Sequence, residues 1–132
     1  RLLSLNQLAH TYMQSRNDTY VMELAIQYIR RNYPKPITLA MVSNEVSLNY
    51  AYFSTMFSKY TGKTFSEYLR NTRMEKAKEL LRQPDISIAE VAAQVGYENY
   101  KSFYRAFKDA VGTTPVEYQQ KKYRIHREDE KQ

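Results

Sequence analysis

One pattern, carried twice, constrains this chain more than anything else in it. Asn49 to Gly62 reads NYAYFSTMFSKYTG, and Asn99 to Gly112 reads NYKSFYRAFKDAVG. Asn, Tyr, two Phe and a closing Gly recur in the same places while almost every other residue changes. In the first copy Phe53, Met56, Phe57 and Tyr60 fall at helical spacing. In the second, Tyr100, Phe103, Ala106, Phe107 and Val111 do the same. Such a stripe specifies a helix with one buried face. The Asn offers a cap at its start, and the Gly a left-handed stop at its end.

The likeness extends on both sides. Ile37, Leu39, Ala40, Val42 and Val46 match Ile86, Ile88, Ala89, Val91 and Val95 at an offset of 49. Tyr50, Phe53, Phe57, Gly62, Thr64, Glu67 and Tyr68 match Tyr100, Phe103, Phe107, Gly112, Thr114, Glu117 and Tyr118 at an offset of 50. The slip of one residue falls in the turn between two helices, where an insertion is tolerated. The repeated unit is therefore helix, short turn, helix. Two copies separated by a long helix are too few for a solenoid.

The rest of the chain fits the same reading. Residues 1–17, with a stripe of Leu2, Leu3, Leu5, Leu8 and Tyr12, read as a linker or the end of an upstream segment. Asp18 offers an N-cap for a helix from about 18 to 32, which NYPKP stops. Thr64 to Glu67 is a capping box opening a linking helix over 66–83. That helix is expected to bury Tyr68, Leu69, Ala77, Leu80 and Leu81. Arg70, Arg73, Lys76 and Lys78 read as its solvated face, with phosphate contact as the alternative and a carboxylate partner expected for Arg73. Further capping boxes stand at Ser87–Glu90 and Thr114–Glu117, the latter with Pro115 at the first helical position. The charged tail, 125–132, is expected to fray. The fold predicted is all-α, two helix-turn-helix subdomains (18–65 and 84–124) joined by the linking helix.

Composition narrows the function. A net charge of +6 points to an anionic partner, nucleic acid before membrane. With no Cys, thiol chemistry and Cys-ligated zinc are excluded. His10 and His126 sit near opposite ends of the chain and read as solvated surface groups, not metal ligands. No apolar run approaches the ~20 residues of a membrane helix, and no secretory signal is present. The expected location is cytoplasmic. A start at Arg1 instead of Met suggests a piece of a longer protein. No nucleophile–His pair, carboxylate dyad, phosphate-cradling glycine loop or metal set is visible, so the chain reads as a non-enzyme that needs no cofactor.

In a helix-turn-helix the first helix holds the second, whose N-terminal half reads base edges in the major groove. The apolar positions face inward, so the outward ones carry the information. They are Ala51, Tyr52, Ser54, Thr55, Ser58 and Lys59 in the first copy, and Lys101, Ser102, Tyr104, Arg105 and Lys108 in the second.

Ile37 to Tyr118 closely resembles the AraC/XylS-type transcription regulators. The resembling motifs are FSKYTGKTFSEYLRNTRMEKAKELL, Phe57 to Leu81, and ISIAEVAAQVGYENYKSFYRAFKDAVGTTPVEY, Ile86 to Tyr118. The resemblance implies a bacterial module that binds double-stranded DNA, with two recognition helices in successive major grooves ~34 Å apart. It places base reading on Ala51, Ser54 and Thr55, and on Lys101, Ser102, Tyr104 and Arg105. Tyr52, Ser58, Lys59, Lys63 and Lys108 are candidates for the phosphate backbone or a secondary role. It also implies an upstream sensory or receiver-type region, and RNA polymerase as a possible partner. Two departures from the family pattern stand out, Gln119 where Arg is usual and Tyr97 where Phe is frequent; within the chain itself, the first turn has Ser47 where the second has Gly96. Phe53, Phe57, Phe103 and Phe107 are expected in the core, not as stacking platforms for bases. An alternative function is a protein-interaction module in which only one copy engages DNA.

Overall fold

Thr38, Asn49, Ser87 and Asn99 begin helices by one device. Each has extended backbone and a side-chain oxygen that accepts a backbone N–H two or three residues on. A computed structural model describes the backbone of residues 5–131, with side chains from Asn17 onward except 126, 127 and 131. The leucine stripe of 1–17 and both histidines thus lie outside the described side chains. Among the described residues the order is α1 (Leu5–Asn32), α2 (Leu39–Glu45), α3 (Tyr50–Thr61), α4 (Phe65–Leu80), α5 (Ile88–Gln94), α6 (Tyr100–Val111) and α7 (Pro115–Lys131), with no strand. The fold is all-α.

Two compact units divide the chain. One comprises Arg1–Asn32 with Ile37–Tyr68, the other Tyr33–Pro36 with Leu69–Gln132. In the first, Met22, Ala25, Ile26 and Ile29 of α1 are buried, as are Val42, Phe53, Phe57 and Phe65. The Phe57 ring meets Phe53 at 5.5 Å and 39°, and Tyr68 edge-on at 5.3 Å and 82°. The second unit buries Met74, Ala77, Leu81, Val91, Ala92, Val95, Phe103 and Phe107 in one cluster. There Phe107 meets Phe103 at 5.7 Å and 43°, and Tyr118 edge-on at 5.6 Å and 77°. The four phenylalanines are fully buried, so they are core, as expected. Edge-to-face contacts of this kind add roughly 0.5–1.5 kcal/mol each beyond area burial.

The repeat reaches further than the sequence reading found. Met22, Ala25 and Ile29 correspond to Met74, Ala77 and Leu81 at an offset of 52, and all six are at most 2% exposed. Helix α4 therefore gives the second unit what α1 gives the first. Its opening turn serves the first unit, with Phe65 and Tyr68 on Phe57.

Two expectations are corrected. Asp18 does not cap a helix: α1 passes through it unbroken from Leu5, a span without Gly or Pro, and its carboxylate accepts the Tyr52 hydroxyl instead. Helix α7 runs from Pro115 to Lys131, where nothing after Pro115 breaks a helix and Lys, Arg, Gln and Glu are good helix formers. Arg73 is half-buried and, among the described residues, pairs with no carboxylate. Its Nε donates to the Tyr33 carbonyl at 2.8 Å and an Nη to the Lys35 carbonyl at 2.9 Å, and its guanidinium lies 5.6 Å from the centre of the Tyr97 ring. Burial lowers the Arg73 pKa from its ordinary value, with the Tyr97 hydroxyl opposing. Lys76 pairs with Glu79 at 3.4 Å and Lys78 with Glu75 at 3.0 Å on the solvated face of the helix, and Arg70 is exposed. Gln119 has a comparable clasp, donating at 2.9 Å to the carbonyls of both Gln83 and Ile86.

The two turns are built alike. After α2, Ser47 N–H bonds Asn44 at 3.1 Å and Leu48 N–H bonds Ser43 at 2.9 Å. After α5, Gly96 bonds Ala93 at 3.2 Å and Tyr97 bonds Ala92 at 2.9 Å. Both pivots have positive φ, 59° at Ser47 and 102° at Gly96. The serine thus adopts the left-handed geometry its glycine counterpart adopts freely, at a cost of ~1–2 kcal/mol. Ser47→Gly removes that strain but adds ~0.5–1 kcal/mol of unfolded-chain entropy. The expected net is a gain of about 0.5 kcal/mol, read as a higher urea midpoint with an unchanged slope. A lower midpoint would show that the Ser47 backbone is not strained.

Candidate nucleic-acid interface

The outward faces follow from the aromatic anchors. Phe53 and Phe57 fix the inner side of α3, which leaves Ala51, Ser54, Thr55 and Ser58 along the opposite side at i, i+3, i+4 and i+7. Phe103 and Phe107 do the same for α6, leaving Lys101, Tyr104, Arg105 and Lys108. Ala51 and Thr55 are exposed, and Ser54 and Ser58 half-buried. Lys101, Ser102, Arg105 and Lys108 are exposed, and Tyr104 is half-buried.

Caps hold the N-terminal ends in place. Asn49 Oδ1 accepts the Ala51 N–H at 2.9 Å and the Tyr52 N–H at 3.2 Å. Asn99 Oδ1 accepts the Ser102 N–H at 2.9 Å. The far ends stop at Gly62 and Gly112, both left-handed, and each donates to a carbonyl four residues back at 2.8 Å. Lys63 follows the first stop and is exposed. Its backbone is tied to Thr61 Oγ1, so the side chain leaves from a defined point.

The two faces differ in charge. Lys101, Arg105 and Lys108 present three cations, and none of them belongs to an ion pair among the described residues. The α3 face carries only small side chains, with Lys59 at its edge. Aromatic neighbours also differ. Tyr104 stands against Tyr100 at 5.9 Å, tilted by 47°. Tyr52 and Tyr60 turn toward α1, where their hydroxyls donate to Asp18 and Glu23. Tyr52 is therefore occupied within its own unit, a placement the helical stripe gave no sign of.

No cluster of metal-binding side chains exists among the described residues, and no described helix is long and apolar enough to cross a membrane.

A helix-turn-helix domain model matches residues 42–121. Over 99 residues the chain is 34% identical to the regulatory protein PocR of Salmonella typhimurium, which covers 75% of this chain and 33% of that protein. The chain spans a third of that protein's length, and 13% of the length of the transcriptional regulator YtdP of Bacillus subtilis, to which it is 33% identical. The C-terminal domain of AraT, a response regulator from Geobacillus stearothermophilus, superposes with a TM-score of 0.74 at 34% identity, over 76% of this chain and 84% of that one. The DNA-binding domain of AdpA, a global transcriptional factor solved with a target DNA, shares the fold at 21% identity. Its TM-score is 0.74, over 80% of this chain and 95% of that one. The matched span covers both capped turns and both aromatic frames, and the chain belongs to the AraC-type family of helix-turn-helix transcription regulators.

Proposed function

We propose that this chain is the sequence-specific DNA-binding part of a bacterial, cytoplasmic transcription regulator, with α3 and α6 each reading one major groove. The carrying observation is the pair of capped helices whose outward faces are free of the core, one of them bearing three cations without ion-pair partners. Such cations supply phosphate attraction, and a guanidinium can also bond guanine O6 and N7 together.

The roles divide by side-chain chemistry. Arg105 reads a guanine. Lys101 reads a base edge or holds a phosphate. Ser102 and Tyr104 complete the second face, while Lys108, a turn further on, holds the backbone. Ala51, Ser54 and Thr55 meet thymine methyls and small polar groups, which suits an A/T-rich half-site. Ser58, Lys59 and Lys63 flank the first helix as backbone contacts. An upstream sensory or receiver-type region and a contact with RNA polymerase complete the regulator.

The test is Arg105→Ala beside Lys108→Ala, with binding measured while each position of the site is varied. Arg105→Ala should relax discrimination about tenfold at one guanine position, within the ~1–3 kcal/mol of a bidentate base contact. Lys108→Ala should weaken every sequence alike and flatten the salt dependence by about one unit of slope. A uniform loss for Arg105→Ala would make it a phosphate clamp and sink its assignment as a reader. Footprinting should show two protected grooves, and protection of one would mean that only one copy engages DNA.

A further inference from the structure

Helix α3 is held by something α6 lacks. Besides Phe53 and Phe57, two tyrosines on α3 reach α1: Tyr52 donates to Asp18, and Tyr60 donates to Glu23. The contacts join residues 34 and 37 apart in sequence, and they sit at opposite ends of α3. The hydrogen bond to Asp18 raises the pKa of the Tyr52 hydroxyl, and the one to Glu23 raises that of Tyr60. In the second copy the places of Tyr52 and Tyr60 are taken by Ser102 and Ala110, and that of Asp18 by Arg70. Glu75, in the place of Glu23, is engaged by Lys78. The clasp belongs to the first copy alone.

Its position matches a need. Ala51, Ser54 and Thr55 have short side chains with little freedom to adjust. Contacts of that kind require the helix to lie within about 0.5 Å of its productive place. Lys101 and Arg105 have long, rotatable stems that can absorb such an error. The copy that reads with short side chains is the copy whose helix is fastened at both ends.

We infer that Asp18 and Glu23 are positioning residues for base reading by α3: through Tyr52 and Tyr60 they set the place of the first recognition helix without touching DNA. This rests on α3 being a reading helix. It adds that the fidelity of the first half-site is controlled from α1, while the second half-site is independent of it.

The experiment compares Asp18→Ala with Asp18→Asn, and Glu23→Ala with Glu23→Gln, in the whole chain. Asn and Gln lose the charge but keep an oxygen that accepts the tyrosine hydroxyl. Bound DNA selected from a random pool gives discrimination at each half-site, and amide spectra of the free protein report the placement of α3. The Ala variants should lose about three- to tenfold in discrimination at the first half-site only, with shifted α3 amides and unmoved α6 amides. The Asn and Gln variants should stay near the parent. Mere removal of negative charge near DNA would act alike in Ala and amide variants and raise affinity for all sequences, and that result overturns the inference. So do unshifted α3 amides in the Ala variants. If the parent chain selects no sequence at all, the proposed function fails instead, and the free-protein spectra still decide whether the clasp positions α3.

Discussion

Gly96→Ala should unfold the second unit at far lower denaturant or temperature than the parent. Two costs coincide there. The φ of +102° is one an L-residue adopts poorly. A methyl group at that position would also meet the Pro34 carbonyl oxygen at 2.9 Å, the Tyr33 carbonyl oxygen at 3.0 Å and Arg73 Nε at 3.1 Å. Two of these are backbone atoms that cannot swing aside, and the third is held by its bond to Tyr33. Strain of ~1–2 kcal/mol and overpacking of ~1–3 kcal/mol combine to about 3 kcal/mol. That corresponds to a fall in Tm of roughly 12–24 °C for a unit of this size. Gly62→Ala is the control. It has φ of +75° but nothing within 4 Å of the added methyl, so about 1 kcal/mol of backbone strain is all it should show. Equal losses for the two would mean the crowding at Gly96 has no weight.

Arg73 should prove nearly as sensitive, and in a way lysine cannot repair. Its guanidinium bonds two carbonyls of the Tyr33–Pro36 segment from different nitrogens while lying over Tyr97. Hydrogen bonds from a charged donor contribute ~1.5–3 kcal/mol each when buried. Arg73 is only half-buried, and with that discount Arg73→Ala should cost about 2 kcal/mol in urea unfolding. Arg73→Lys keeps the charge but replaces a planar fork with a single point, so it should recover less than half. Full recovery by lysine would show that charge, not the fork, is what the segment needs.

These two sites also show where sequence reasoning reached and where it stopped. The caps at Asn49, Ser87 and Asn99, the glycine stops and the aromatic stripes were legible because each is local. A cap is decided within three residues, and a stripe within two turns. The outward side of each reading helix followed from the same stripes, since Phe53 and Phe57 or Phe103 and Phe107 fix the rotation of the helix. The role of Arg73 was hidden because its partners lie 38 and 40 residues away, and a cation on a polar helix looks the same whether solvated or clasped. Tyr52 and Asp18 were hidden in the same way. The match of Met22, Ala25 and Ile29 to Met74, Ala77 and Leu81 escaped for another reason. The segments leading into α2 and α5 differ in length, so the offset of 49 that exposes the later helices becomes 52. Asp18 has the chemistry of a cap, but in a span without a breaker a good capping residue is simply an interior residue.

The near-identity of the two aromatic frames has a consequence for how such a regulator changes over time. Ring distances of 5.5 and 5.3 Å in one unit recur as 5.7 and 5.6 Å in the other, although almost nothing on the outer faces is shared. Substitutions at exposed positions such as Ala51, Thr55, Lys101 and Arg105 shift stability by only about 0.5 kcal/mol either way. With α3 and α6 as proposed readers, heritable drift can therefore rewrite what each helix recognises, one half-site at a time, while selection on folding stays blind to the change.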